Sequence, residues 1–367
     1  MMKKLCLVKY DMTDASGGAR VTANLANTLS EWYEVHVVSI CSNQEDTFYP
    51  LAIRVHYGVL IRGVGRIRNM LPEGIKRLRR YIKENSIDLV MGIGVSIAPF
   101  IVPASKGLSC RTVSCEHLNC MNEYENHLGH RICRLIGAKL CDRVVVLTYK
   151  DKEAYSRKFK LRPEKVEYIY NWIDDQLLDS IHPYNSSSKK IISVMRVEPV
   201  KGAENIIKCA SLIFPNHPDW QWHIYGGGEG EYMEKLKSKL KEKRLEEHVF
   251  FKGKVKDIYE RYKEYGLFVL TSYCEGLPMV LIEAKAMKIP IISFDCLTGP
   301  SEIIRDGIDG YLVPVGDNEQ LAAKLDVCME SRKLRELLSE NAYGNLKLFS
   351  KKDIIEKWRS FIEDTCK

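Results

Sequence analysis

The chain has 367 residues, 45% hydrophobic and 28% charged, the make-up of a folded globular protein with length for two cores. No apolar run reaches the roughly 18–20 residues that cross a bilayer, and the short run Leu5–Val8 ends without a small-residue cleavage site, so a first strand and cytoplasmic residence are expected. The net charge of +7 is concentrated between Arg54 and Lys83, where nine Lys/Arg residues meet one acid, Glu73.

Short β-rich runs alternate with helical patterns in the first half. Strands are expected at Lys4–Val8, Val35–Ile40, Asp88–Gly92, Arg111–Cys115, Arg143–Leu147 and Val166–Tyr170. Helices are expected from about Ala19 to Trp32, across the basic stretch to Asn85, and between Gly129 and Leu140. Apolar strands separated by helices imply parallel sheets covered on both faces. In the basic helix, Ile75, Leu78 and Ile82 share one face and cations occupy the others. That pattern suits a sheet-packing helix with a solvated outer face. It also suits a patch for an anionic membrane surface, at about 1 kcal/mol per cation. Nucleic acid is not indicated, because no aromatic-rich basic groove or known motif accompanies the charge.

Of the 12 cysteines, several lie in apolar strand-like runs and act as small hydrophobes. Cys110, Cys115 and Cys120 recur near His117, His127 and His130. Their five-residue spacing lacks the close Cys-x-x-Cys pairs usual for zinc.

Linker composition marks Asp174–Lys190, and the alternation then restarts. Strands are expected at Ile191–Met195, Trp220–Tyr225, Val249–Phe251, Leu267–Thr271, Ile291–Phe294 and Gly310–Val313, with helices at Ala203–Phe214 and Glu229–Lys243. The reading is therefore α/β: two doubly wound, Rossmann-like domains, residues 1–180 and 181–345, with a final helix in 346–367 packing back on the first. In such sheets ligands bind beyond the carboxyl ends of the strands, so two facing domains predict a site in the cleft between them.

The segment Leu270-Thr-Ser-Tyr-Cys-Glu-Gly-Leu-Pro-Met-Val-Leu-Ile-Glu-Ala284 carries the most chemistry. A buried strand leads into a loop with Glu275 and Gly276, then a helix expected to open at Pro278, where a missing N–H costs nothing. The free N–H groups of Gly276, Leu277, Met279 and Val280 then make an anion site. Glu275 and Glu283 frame it with carboxylates able to accept hydrogen bonds from sugar hydroxyls.

This segment resembles the Glu-x7-Glu signature of family 4 retaining glycosyltransferases, which have the GT-B fold. The sequel from Gly299-Pro300-Ser301-Glu302 through Gly307 and Gly310 to Pro314 is similar to the same family. The resemblance implies that Glu275 contacts the donor sugar and Glu283 the ribose of the nucleotide. It further implies that Arg196 and Lys201 neutralise the diphosphate, by bidentate and point-charge contacts respectively. Gly17-Gly18 matches the first-domain glycine loop, where backbone N–H groups can approach phosphate or sugar. His117 matches a residue near donor and acceptor, and 119–130 the acceptor loop.

Tyr225-Gly-Gly-Gly-Glu-Gly230 has Gly-x-Gly-x-Gly spacing, one residue short of the nicotinamide fingerprint. By the resemblance it lines the nucleotide cleft with Gly227, while Lys254 and Val255 follow a segment whose backbone reads the base. No Asp-x-Asp triplet is present, so a metal-free reaction with no cofactor is expected. The implied substrates are a UDP-sugar donor and a saccharide acceptor, lipid-linked, at the inner membrane face. A sugar-nucleotide epimerase, a glycosyl phosphorylase, a nicotinamide oxidoreductase and a non-catalytic nucleotide-sugar-binding protein are the competing readings.

Overall fold

The computed structural model describes residues 2–14, 16–63, 65–121, 127–173, 177 and 184–367. The expected linker lies partly, and the centre of the expected acceptor loop wholly, outside the described residues. Two compact units form, Met1–Asn171 with Lys352–Lys367, and Trp172–Lys351.

The first unit holds strands β1 (Lys4–Lys9), β2 (Glu34–Ser42), β3 (Val55–Arg62), β4 (Leu89–Ile93), β5 (Arg111–Cys115), β6 (Arg143–Val146) and β7 (Val166–Tyr168). All pair in parallel, in the order β3-β2-β1-β4-β5-β6-β7. Leu5–Val8 and Leu89–Met91 are fully enclosed, which is why these strands are unbroken apolar runs rather than alternating ones.

Its helices are α1 (Gly17–Leu29), α2 (Ile67–Asn85), α3 (Ala98–Ser105), α4 (Leu128–Leu140) and α5 (Tyr149–Phe159). Ser16 caps α1, its Oγ accepting from the Ala19 N–H at 3.2 Å. In α2, Gly74, Leu78 and Ile82 are buried. A side chain at Gly74 would strike the Phe100 ring of α3, so this glycine permits close helix packing.

The strand β3 and helices α3 and α5 were not among the expected elements. As an edge strand, β3 alternates irregularly between buried and exposed positions. Within a cation-dense stretch that pattern gives no period-2 signal. Helix α3 carries Pro99 and Pro103, residues that read as breakers.

The second unit holds β8 (Lys190–Val194), β9 (Gln221–Tyr225), β10 (Val249–Gly253), β11 (Leu267–Leu270), β12 (Ile291–Phe294) and β13 (Gly310–Val313). These too are parallel, in the order β10-β9-β8-β11-β12-β13. Its helices are α6 (Ala203–Ile213), α7 (Glu231–Glu242), α8 (Ile258–Tyr262), α9 (Met279–Ala286), α10 (Pro300–Ile303), α11 (Asn318–Glu330) and α12 (Arg332–Asn341). The core gathers Trp222, Ile224, Leu267, Val269 and Phe294 from the sheet and Ile206, Ala210, Leu321 and Leu325 from the helices.

A final helix, α13 (Lys351–Thr365), belongs to the first unit apart from its first residue. Asp364 pairs with Arg143 at 3.2 Å, and the Arg143 guanidinium lies 4.8 Å over the Phe361 ring.

In each unit the strand order reverses beside the first strand, between β1 and β4 and again between β8 and β11. Flanking loops diverge there, leaving a polar crevice at the carboxyl ends.

Candidate active site

At the reversal in the second sheet, β8 leads to Arg196 and a 3-10 turn, Pro199–Lys201, while β11 leads to Glu275. Backbone bonds join the two exits. The Tyr273 N–H donates to the Val200 carbonyl at 2.9 Å, and Thr271 Oγ1 donates to the Gly202 carbonyl at 3.0 Å. Gly202 has φ +69°, and a Cβ there would collide with the Thr271 carbonyl; only glycine meets both demands. The result places Lys201 Nζ 2.7 Å from Glu275 Oε1, with side chains 20% and 11% exposed.

Arg196 is held differently. Its largely exposed guanidinium lies 3.0 Å from Glu198. The Lys201–Glu275 pair is therefore preformed, whereas Arg196 is engaged at the surface by Glu198.

Pro278 is the cap residue of α9 rather than its first helical residue, a shift of one position. The loop before it is laced to the loop after β12. Thr298 Oγ1 donates to the Glu275 carbonyl at 2.8 Å, and Cys296 Sγ lies 2.9 Å from the Ser272 carbonyl. Gly299, at φ +100°, leaves space against Pro278 and the Gly276 carbonyl. Leu277 and Pro278 are buried, while Gly276, Met279 and Val280 are half-buried.

One turn into α9, Glu283 is 4% exposed and its Oε2 accepts from the Tyr262 hydroxyl at 3.1 Å. The next helical position but one, Lys285, is also buried. Its ammonium meets Asp309 Oδ2 and the Ile303 carbonyl, each at 2.8 Å. Arg305 Nε adds a 2.6 Å contact to the same carboxylate. This network ties α9 to the Gly299–Gly310 segment. It was invisible in sequence because Lys285 and Asp309 are 24 positions apart, in segments joined only by folding.

Around the glycine-rich stretch, Gly226 has φ +136° and a Cβ there would collide with the Met195 carbonyl. The Val197 N–H donates to the Gly227 carbonyl at 2.8 Å. Lys254 is exposed, with its chain end against Gly227, and Val255 is half-buried. These residues thus neighbour the β8 exit that carries Arg196. Ser272 Oγ and Asp295 Oδ1, beyond β11 and β12, are enclosed without a hydrogen-bond partner among the described residues.

In the first unit the corresponding crevice holds Lys9, the start of α1 and His117. Lys9 Nζ donates to the Asp11 carbonyl at 2.8 Å and lies 3.6 Å from Asp14. A Cβ at Gly18 would touch the Lys9 chain, whereas one at Gly17 would meet open space. Burial pushes the His117 imidazole down to about 4, and the Lys9 charge adds to the shift. The ring is thus neutral at pH 7, able to accept or donate one hydrogen bond. Lys9 escaped sequence reading because it simply ends an apolar strand.

Behind His117, Glu116 and Arg134 form a buried ion pair at 3.5 Å, each side chain 1% exposed. Apart from that contact, neither head group has a hydrogen-bond partner among the described residues. Burial pushes the Glu116 carboxyl up to about 7 against the opposing pull of Arg134, and the Asp151 charge adds to the rise.

The folded chain therefore binds the Glu116 proton more tightly than the unfolded chain. Stability from this group is full below pH 4.5 and is lost as pH rises through about 7. Urea unfolding is expected to show Glu116→Gln gaining on the wild type by on the order of 2–3 kcal/mol between pH 4.5 and 8. A constant offset from leaving Arg134 unpaired does not affect that difference. A pH-independent gap between the two proteins excludes the shift.

The trio Cys110, Cys115 and Cys120 forms no metal-sized group with the nearby histidines among the described residues. All three thiols are buried and raised by burial, as expected of small hydrophobes.

Two parallel sheets with polar groups at their switch points define the doubly wound, nucleotide-binding class of α/β protein. A family model for glycosyl transferases group 1 matches residues 174–345, and one for glycosyltransferase family 4 matches residues 15–177. The chain belongs to glycosyltransferase family 4 and has the GT-B fold. It is similar to the amylovoran biosynthesis glycosyltransferase AmsD of Erwinia amylovora, at 29% identity over 98% of this chain and 100% of that one. It is also similar to a Campylobacter jejuni α-1,4-N-acetyl-D-galactosaminyltransferase named for an undecaprenol-diphosphate-linked saccharide. That identity is 27%, over 95% of this chain and 96% of the relative. Among solved structures, Anabaena HepE in complex with UDP and glucose superposes with a TM-score of 0.82 at 18% identity, covering 99% and 100% of the two chains.

Proposed function

We propose that this glycosyltransferase moves a hexose or N-acetylhexosamine from a UDP-sugar to a lipid-linked saccharide, with retention and without a metal, in bacterial surface-polysaccharide synthesis. The observation that carries the reading is the preformed Lys201–Glu275 pair at the β8–β11 switch point, 2.7 Å apart beside the start of α9. Lys201 neutralises the departing diphosphate and Glu275 accepts hydrogen bonds from the sugar hydroxyls, a preorganised electrostatic arrangement. Arg196 supplies a second cation, the backbone of 276–280 hydrogen-bonds the donor, and Glu283 accepts from the ribose. Gly227, Lys254 and Val255 border the base.

Gly17 and Gly18 are assigned to donor binding, and His117 to a place near the donor sugar and the acceptor. The anomeric C–O bond breaks with its electrons leaving on the diphosphate. The acceptor oxygen bonds to the same face, and its proton passes to the departing phosphate oxygen.

A panel of nucleotide sugars, with UDP release measured against a lipid-linked saccharide fraction, tests this. Acceptor-dependent UDP release is expected, unchanged in excess EDTA, with the new linkage in the donor's anomeric configuration. A strict Mg²⁺ requirement or an inverted product overturns the mechanism. Interconversion of the sugar nucleotide favours an epimerase, and donor binding without turnover a binding protein.

The lipid-linked acceptor draws support from the first unit's surface. Arg66, Arg68, Lys76, Arg80 and Lys83 are exposed on or just before α2, while Arg79 is tied to the Ala104 and Lys106 carbonyls. Helix α4 exposes Leu128, Ile132 and Leu135 in a stripe flanked by Arg131 and Lys139. Exposed apolar side chains beside cations suit an anionic bilayer surface. No helix among the described residues is long and apolar enough to cross a membrane, so attachment there is peripheral. Co-sedimentation with anionic vesicles at low salt is expected, with weaker binding to neutral vesicles and after Leu128→Ser with Ile132→Ser. Equal binding to both vesicle types removes this part of the proposal.

A further inference from the structure

At the amino ends of the first strands, three side chains with metal-binding atoms converge. Glu34 opens β2, and His36, two residues on, lies on the same face of the sheet. His56 of β3 is registered directly opposite His36. The carboxylate oxygen and the two imidazole nitrogens all lie within 4.8 Å of one another. Glu34 Oε1 is 3.2 Å from His36 Nε2, and the two imidazole rings stack with centroids 4.6 Å apart, so the exposed His56 ring must rotate out of the stack to share an ion with His36.

The buried ring of His36 is also held from behind. Its Nδ1 lies 2.8 Å from the Tyr81 hydroxyl of α2, leaving Nε2 turned toward Glu34. Metal-ligating histidines characteristically have such an outer partner, which fixes ring orientation and tautomer. Lys4 Nζ meets Glu34 Oε1 at 2.9 Å and supplies the local positive charge, but both side chains are 33% exposed. An ion pair that accessible to water is worth little and yields to a divalent cation.

We propose that Glu34, His36 and His56 form a divalent-cation site of the zinc class, with a fourth position open to water. Two imidazoles and one carboxylate are a borderline-soft donor set that suits Zn²⁺ better than Mg²⁺ or Ca²⁺. The ligands span β2 and the edge strand β3, so the ion staples the sheet's edge. Lys9 and His117 stand at the opposite, carboxyl ends of the same sheet. The site therefore stabilises the first unit and takes no part in sugar transfer.

The test is calorimetric titration of the chelator-treated full chain with ZnCl₂ at neutral pH, together with thermal unfolding. One saturable site is expected, with the Tm raised by about 5–10 °C at a hundredfold excess over Kd. His56 is exposed, so His56→Ala removes a ligand without disturbing the core and should abolish both effects. Tyr81→Phe should weaken binding by roughly tenfold through the outer contact alone. Since Cys133, Cys274 and Cys366 are partly accessible, Co²⁺ substitution serves as the spectroscopic control. Weak visible bands without thiolate charge transfer are expected. Absence of saturable binding, undiminished binding in His56→Ala, or a thiolate band overturns the proposal.

Discussion

Replacing Glu275 by alanine is expected to lower kcat/KM for sugar transfer by roughly a hundredfold or more, and Lys201→Ala by a similar factor. Hydrogen bonds to a charged group are worth about 1.5–3 kcal/mol, and loss of one preorganised electrostatic donor typically costs about 10²–10³ in kcat. On the proposed mechanism the two residues act on opposite ends of the same breaking bond, and they already contact each other at 2.7 Å. Their effects should therefore be strongly non-additive, with the double variant little worse than either single one. Lys201→Arg keeps the charge but not the compact ammonium, so partial activity is expected. Steady-state kinetics at saturating acceptor reads all four variants. Near-normal transfer by both alanine variants sinks the site assignment.

The largest stability effect is expected at Asp309. Its carboxylate is buried against the Lys285 ammonium and receives the Arg305 guanidinium and backbone N–H. Asp309→Ala leaves the Lys285 charge enclosed without its counter-ion, at a cost of about 3–5 kcal/mol. Burial already pulls the Lys285 ammonium below its ordinary range, with Asp309 resisting, so removing Asp309 pulls it lower still.

The unfolded chain then binds the Lys285 proton more tightly than the folded one. The variant should recover stability as pH rises toward the unfolded lysine value near 10.5. Urea unfolding across alkaline pH reads both the loss and its recovery. A loss below about 1 kcal/mol would falsify the claim that this pair anchors α9. Because the network joins α9 to the Gly299–Gly310 segment, donor KM should rise in the folded variant as well.

Periodicity carried much of the fold. Enclosed parallel strands are mostly apolar, so β1, β4, β11 and β12 stand out as runs rich in Leu, Ile, Val and Phe. The edge strand β3 did not, since water on one side lets His56, Tyr57 and Arg62 into its sequence. Helix α3 was hidden by its two prolines, of which Pro99 lies in the first turn and Pro103 is exposed near the helix end.

Within the candidate site, Glu275, Arg196 and Lys201 stood out because each follows an apolar strand, and Glu283 because it lies in an apolar setting one turn into the helix after β11. Lys9, Thr298, Lys285 and Asp309 were not. Thr298, Lys285 and Asp309 take their meaning from partners that chain order does not bring near, whereas Lys9 simply ends an apolar strand.

What the sequence determined by itself was the alternation of strand and helix, and hence two parallel sheets with polar groups at their carboxyl ends. Spacing along one chain suffices for that, because burial imposes a period on each element. Only the tertiary structure decided which charges are paired. It joined Lys201 to Glu275 while leaving Arg196 with Glu198, and it enclosed Glu116 with Arg134. Electrostatic strength depends on separation and on exclusion of water, and both quantities exist only once distant segments have packed.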